Sequence, residues 1–284
     1  MALRDFSKDL SALALNTASL GHNLDGYGAG WPVERVIDAC AERGLGGIVF
    51  WRREIGTRAE EIGARARAAG LPVVGLCRTP YLVGSEVPAA VDAELKASIE
   101  MTAALGAPVL TIVTGGTEPG TKGILDSQKI LADRLAPAAE WAAEQNVRLA
   151  LEPLNPMFGG NRTVLMRVAD ALRVCDWIGA DNVGIAVDVY HVWWDSGLAD
   201  DLRQAPGRIF GFHLCDWLEN TSDMLLDRGM MGDGVADLQA IRMAVEAAGY
   251  EGPCEVEIFS AQNWWQKPPD LVLDTMIARF QSVC

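Results

Sequence analysis

The sequence predicts an α/β protein folded as a single (β/α)8 barrel over residues 1–284. Three observations carry this expectation. Eight short apolar or β-branched runs alternate with helix-period segments. The predominantly apolar character of the runs fits strands covered on both faces. The chain's 284 residues are close to the roughly 250 that such a barrel fills. A doubly wound open sheet is the competing arrangement, but no G-x-G-x-x-G follows the first strand.

The predicted strands are Leu13–Asn16, Gly47–Trp51, Pro72–Cys77, Val109–Val113, Arg148–Glu152, Val183–Asp188, Ile209–His213 and Cys254–Ile258. Helical periodicity places helices over Val33–Arg43, Ala59–Ala69, Ala90–Leu105, Ser127–Gln145, Val164–Ile178, Val235–Ala248 and Asp270–Val283. The connection after the sixth strand is less regular and holds only a short helix near Leu198–Gln204. Gly44, Gly70 and Gly249 follow helices directly, where a left-handed cap is needed, and Pro72 prevents continuation. No interdomain linker, low-complexity tract or repeat interrupts the pattern.

Composition narrows the function classes. Half the residues are hydrophobic and 22% are charged, which supports a large packed core and excludes general disorder. With 24 Lys+Arg against 38 Asp+Glu, the net charge of -14 argues against nucleic acid as a partner. Charged residues occupy the start of the chain, where a signal peptide needs its apolar region. The longest apolar candidate, Ala103–Val113, is broken by Gly106, Pro108 and Thr111 and falls short of a membrane span. The six cysteines contain no C-x-x-C pair, which favours reduced, core-filling thiols. A cytoplasmic protein acting on a small molecule, with no membrane partner, is the expected class; homo-oligomerisation stays open.

In such barrels the chemistry sits where strands emerge at their C-terminal ends. Four successive predicted strands end in Glu152, Asp188, His213 and Glu257. An acid at a strand end can simply cap a helix, and a lone histidine can be a satisfied core group. Three converging carboxylates, however, repel one another unless a cation stands between them. Three oxygen donors and one imidazole suit a single divalent ion, with Mn²⁺, Mg²⁺ or Co²⁺ favoured and Zn²⁺ compatible.

The segments Leu149-Ala-Leu-Glu-Pro-Leu-Asn155, Val187-Asp-Val-Tyr-His191, Phe212-His-Leu-Cys-Asp216, Asp227-Arg-Gly-Met-Met-Gly-Asp-Gly234 and Ala248-Gly-Tyr-Glu-Gly-Pro-Cys-Glu-Val-Glu-Ile-Phe-Ser260 resemble the xylose-isomerase-like TIM-barrel sugar (phosphate) isomerase/epimerase superfamily. Within it the resemblance is strongest to inosose isomerase-like proteins. It implies metal ligation by Glu152, Asp188, His213 and Glu257. It also implies substrate contacts from His191, three residues after the metal aspartate, and from Arg228. With three histidines, the chain lacks the imidazoles of the endonuclease IV zinc cluster. It also has no lysine near the rim segments where xylose isomerase places its catalytic lysine.

The expected reaction is isomerisation or epimerisation of a keto sugar or keto-inositol. A proton moves beside a carbonyl, with Glu152 and Glu257 as the catalytic pair on the two faces. A dehydratase or lyase using the same enolate, or a non-catalytic sugar-binding subunit, are the alternatives. Trp194 and Trp264 are expected to wall the pocket, although paired tryptophans near strand ends serve equally to pack loops or a subunit contact. The glycine-rich loop at residues 114–123 lacks P-loop spacing. Arg52, Arg53 and Arg78 are expected to form rim salt bridges rather than bind phosphate. An unphosphorylated polyol-like substrate follows, and His22 has no assigned role.

Overall fold

The computed structural model describes residues 4–84 and 88–284, so the first three residues of the charged start lie outside the described residues. Eight parallel strands close into a barrel: β1 (Leu13–Asn16), β2 (Gly47–Trp51), β3 (Val73–Cys77), β4 (Val109–Ile112), β5 (Arg148–Leu151), β6 (Val183–Asp188), β7 (Ile209–Leu214) and β8 (Cys254–Val256). Neighbours in the ring follow chain order, and β1 pairs with β8 to close it. Every residue of β6 and β7 is buried, as expected of strands with helices outside and side chains filling the barrel.

The outer ring contains α1 (Val33–Glu42), α2 (Ala59–Ala68), α3 (Pro88–Leu105), α4 (Ile124–Glu144), α5 (Val168–Ile178), α6 (Leu198–Leu202), α7 (Leu238–Ala247) and α8 (Pro269–Val283). Gly44, Gly70 and Gly249 adopt φ of 72°, 71° and 88° where a left-handed residue ends each helix. Among the described residues no helix is long and apolar enough to cross a membrane. All six cysteines are unbonded.

Several boundaries move for local reasons. The helix expected from Val164 begins at Val168, because Asp170 Oδ2 accepts from the Met166 and Arg167 amides and holds the preceding turn open. The helix expected from Val235 begins at Leu238, where the Asp237 side chain caps the Ala240 amide. Conversely, α4 starts at Ile124, before the expected Ser127, and carries Pro137 within it. The fifth strand ends at Leu151 and the eighth at Val256, leaving Glu152 and Glu257 one residue beyond the ladder.

The N-terminal end of the barrel is sealed by the chain ends. Phe6 stacks on Phe280 at 4.5 Å between ring centroids, and the Arg242 guanidinium covers the Phe6 ring at 3.9 Å. Arg242 is buried but paired, its Nε donating to Glu246 Oε1 at 2.8 Å and its Nη1 to the Cys284 carbonyl at 2.6 Å. Burial alone would push the Glu246 carboxyl up. The hydrogen bonds from Arg242 and from the Arg4 amide outweigh that and leave it below the ordinary range. This end is thus closed by packing, and the opposite end is free for chemistry.

A candidate metal centre at the C-terminal mouth

Parallel registry explains why the four strand-end residues meet. β6 and β7 pair Asp188 with His213, and β7 and β8 pair His213 with Glu255. Paired residues in a parallel ladder face the same side, so all three side chains enter the barrel. Glu257, two residues beyond Glu255, lies on that side one layer higher. Glu152 follows β5, whose last residue pairs with the β4 terminus. Each of Glu152, Asp188, His213 and Glu257 is buried, and each offers one ligand atom within 4.8 Å of the others.

His213 Nδ1 is the hub. It lies 2.9 Å from Glu152 Oε1 and 3.9 Å from both Asp188 Oδ2 and Glu257 Oε2. Despite their approach, Glu152 Oε1 and His213 Nδ1 are buried without an aligned hydrogen-bond partner. Each such atom costs of order 1–3 kcal/mol if left so. Burial opposes a charge on His213, but Glu255, Asp188 and Glu152 hold its imidazole well above the ordinary range. Burial, helped by the neighbouring Glu152 and Asp188 carboxylates and opposed by Arg228 and His213, pushes Glu257 up to about 8. Orphaned donor atoms, converging carboxylates and an imidazole that draws positive charge together fit a divalent cation.

The residues around this set arrange the site. Arg228 is buried, with its Nη1 donating to Asp188 Oδ2 at 2.9 Å and to Glu257 Oε2 at 3.2 Å. Its guanidinium lies 4.4 Å from both the Tyr190 and Phe259 ring centroids. Burial works against ionisation of Asp188, yet Arg228 and the His191 and His213 imidazoles hold its carboxyl well below the usual range. The Asn155 amide donates to His191 Nδ1 at 3.2 Å, which leaves the proton of the neutral ring on Nε2. Burial pushes His191 down to about 4 against the pull of Asp188, so the ring is a neutral donor at pH 7. Asn16, at the end of β1, donates to Glu257 Oε1 at 3.1 Å and accepts from the Trp51 indole at 2.8 Å.

The loop that delivers Arg228 is tied down by Asp216, which the sequence reading passed over. Asp216 Oδ2 accepts from the Gly232 and Gly234 amides at 2.9 Å, and Oδ1 accepts from Trp217 and Ala236. The loop returns through a two-residue antiparallel pair, Asp216–Trp217 against Arg228–Gly229. A second omission is Glu255, whose Oε2 lies 3.5 Å from His213 Nε2. The E-x-E spacing at the strand end carried that signal, because period two puts both glutamates inside the barrel. Gly211 makes room beneath, since a Cβ there would stand 3.3 Å from His213 Nε2.

Above these residues a small cavity opens at the C-terminal mouth, where barrel chemistry is sited. Glu152, Glu257, His191 and Arg228 all line it, together with Trp51, Tyr81, Arg78, Phe158, Arg162 and Phe259. Trp194 and Trp264, expected as pocket walls, are not among the lining residues. Trp194 is 37% exposed and donates to the His191 carbonyl, while Trp264 donates to Asp233. A neighbouring position after a strand fixes proximity to the mouth but not the direction of the ring. Trp51 is the indole that reaches the cavity. The expectation for the arginines divides: Arg52 and Arg53 approach Glu94 and Asp25, whereas Arg78 has no acidic partner among the described residues. His22 faces Glu54, with Nδ1 3.3 Å from Oε2.

Comparison with known proteins agrees with this architecture. The profile of the xylose isomerase-like TIM barrel family matches residues 37–280. An inosose isomerase of Halalkalibacterium halodurans is 26% identical over 176 residues. That match spans 60% of this chain and 60% of the relative's length. The crystal structure of protein SMc04130 from Sinorhizobium meliloti 1021 superposes with a TM-score of 0.89 at 37% identity, covering 97% of this chain and 99% of that one. A structure of the IolI protein with a bound zinc atom gives a TM-score of 0.82 at 18% identity, covering 96% and 97% of the two chains.

Proposed function

The chain belongs to the xylose isomerase-like TIM barrel family, and we propose that within it the protein is a divalent-metal-dependent isomerase or epimerase of a keto sugar or keto-inositol. One observation carries the reading. Glu152 and Glu257 belong to the convergent metal-type set and also line the cavity, so potential ligands and potential proton carriers face the same space. The inosose isomerase relatives and the zinc-bearing structural neighbour support the substrate class and the cation.

Glu152, Asp188, His213 and Glu257 would hold the cation. When bound it would polarise a substrate carbonyl and stabilise the negative charge that grows as the adjacent carbon loses a proton. Glu152 takes the proton at a carboxylate oxygen, and Glu257 returns one from the other side of the substrate. Epimerisation follows when the proton returns to the same carbon on the opposite face. Isomerisation follows when it returns to the neighbouring carbon. His191 donates from Nε2 to a substrate oxygen, and Arg228 holds the opposite oxygen while keeping Asp188 ionised. Phe158, Phe259 and Trp51 give the cavity apolar walls suited to sugar C–H faces and reduce the access of water to the developing carbanion.

The test is isotope exchange. Metal-supplemented protein incubated with ketohexoses, keto-inositols and 3-keto-glycosides in D₂O should place deuterium at the carbon beside the carbonyl, read by NMR. Turnover without deuterium incorporation would overturn the proton-transfer reading, and a product lighter by water would move the assignment to a dehydratase.

A further inference from the structure

The outer wall of the cavity differs in charge from its floor. Arg78 follows β3 and Arg162 lies in the loop after β5, and both line the cavity. Tyr81 braces the two. The Arg78 guanidinium lies 4.6 Å from the Tyr81 ring centroid, and Arg162 Nε donates to the Tyr81 hydroxyl at 2.9 Å. Arg78 Nη1 donates to the Thr79 carbonyl at 3.1 Å, and the Arg162 guanidinium lies 5.5 Å from the Phe158 ring centroid. Among the described residues neither arginine forms an ion pair, and the Nη atoms of Arg162 and Nη2 of Arg78 donate to no protein group.

Such arginines stand out in a chain with 38 acids against 24 bases. Arg134, which is likewise partly buried, has a Glu118 carboxylate at 2.7 Å, and the exposed Arg167 has Asp195 at 2.9 Å. The cavity also continues past Trp51, Cys77 and Arg78 into a groove lined by Asn23, Arg52, Arg53, Thr79, Pro80 and Met101. That lining contains three arginines and no carboxylate. Arg52 and Arg53 are paired with Glu94 and Asp25, so the uncompensated positive charge facing the acidic floor is that of Arg78, joined in the cavity wall by Arg162. Low-dielectric walls focus such a field and raise the local concentration of anions. The free N–H groups of a braced guanidinium match the oxygens of a carboxylate or phosphate.

Building on the proposed reaction at the floor, we propose that the substrate carries an anionic group, a carboxylate or a phosphate, held by Arg78 and Arg162 while its carbonyl end meets Glu152 and Glu257. The substrate class becomes an acidic keto sugar or a keto-sugar phosphate in place of a neutral polyol. Tyr81 sets the spacing of the two guanidinia and is a positioning residue.

Calorimetry on the metal-loaded protein tests this with glucitol, gluconate and glucitol 6-phosphate as probes. At least one anion should bind ten-fold or more tightly than the neutral polyol, and the advantage should shrink as NaCl is raised. The better anion names the source of the charge. An aldonate can also chelate the cation, so the arginines supply the decisive arm. Arg78→Gln and Arg162→Gln should weaken the anions at least ten-fold more than glucitol, while Arg78→Lys and Arg162→Lys retain part of the preference. Equal binding of all three probes, or an anion preference that survives both glutamine substitutions, overturns the proposal. Deuterium exchange run on the same proteins keeps the two readings apart. Exchange into neutral ketoses with no anion preference removes only the arginine site. An arginine-dependent anion preference with no exchange into neutral or anionic ketoses removes the reaction and leaves the site.

Discussion

Glu255 Oε2 stands 3.5 Å from His213 Nε2, on the opposite edge of the imidazole from the nitrogen that meets Glu152. Ladder registry puts the two residues side by side, and both atoms are buried without another partner. The relationship determines which nitrogen is free. With a proton on Nε2 directed at Glu255, Nδ1 presents its lone pair to the candidate metal position. Glu255→Ala should therefore lower divalent-ion affinity by about 10–100-fold, the usual range for losing the partner of a ligating histidine. Glu255→Gln, which still offers an acceptor oxygen, should lose less. Competition against a chromophoric chelator measures both, and unchanged affinity in the alanine variant would disprove the role.

Glu257 is assigned both cation binding and proton transfer. Glu257→Gln keeps the size and the hydrogen bond from Asn16 but removes the carboxyl that returns the proton and one anionic donor. Deuterium exchange should fall by about 10²–10⁴-fold, the range associated with a positioned acid or base. Raising the metal concentration until the variant is saturated should not restore it. Full recovery would show that Glu257 serves the ion alone.

Asp216 acts at a distance from the substrate through the loop it ties to the barrel. Asp216→Ala leaves four amides without their acceptor and frees the segment that carries Arg228. The variant should lose about 2–4 kcal/mol of stability, because four partly buried hydrogen bonds to one buried carboxylate break together. Backbone amides of residues 217–236 should exchange with solvent faster than those of the β5–β7 ladder. Uniform protection across both regions would contradict the anchoring role.

Glu246 offers a pH test away from the site. Its carboxyl sits below the ordinary value because its bonds from Arg242 and Arg4 outweigh the effect of burial. A depressed carboxyl contributes stability that is fully present above the unfolded pKa of about 4.3 and is lost as pH falls through the lower folded value. Glu246→Gln cannot titrate, so wild type should exceed it by about 1–3 kcal/mol near neutrality. The gap should narrow below about pH 4. Denaturant melts at pH 7 and pH 3 give the comparison, and a gap that widens in acid would refute it.

The periodicity of the chain revealed the barrel because the strands are largely apolar and several helices close on a glycine, as at Gly44, Gly70, Gly179 and Gly249. Strand ends also exposed Glu152, Asp188, His213 and Glu257 as a group, since position in a parallel strand is position along the barrel axis. Direction was less accessible. Trp194 and Trp264 lie near the mouth in sequence, yet their indoles bond to the His191 carbonyl and Asp233. Arg162 sits in an irregular loop, where no period ties sequence position to facing, and it reaches the cavity only through the fold. Helix starts moved where a single side chain, such as Asp170 or Asp237, competed for the first amides.

Ring order separates two kinds of duty around the barrel. β5, β6, β7 and β8 form one unbroken arc, and that arc supplies the cation-type ligands. Trp51 and Arg78 come from β2 and the turn after β3, on the facing arc. The two arcs meet across the cavity with few shared parts, Asn16 to Glu257 being one bridge. Changes to the loops after β2 and β3 can therefore redirect which molecule is accepted and leave the reactive half untouched. The barrel behaves as an exchangeable selector facing a fixed reaction head, and a retargeted variant is best sought by varying residues 78–81 with Trp51 kept, because its indole bonds the Asn16 that holds Glu257.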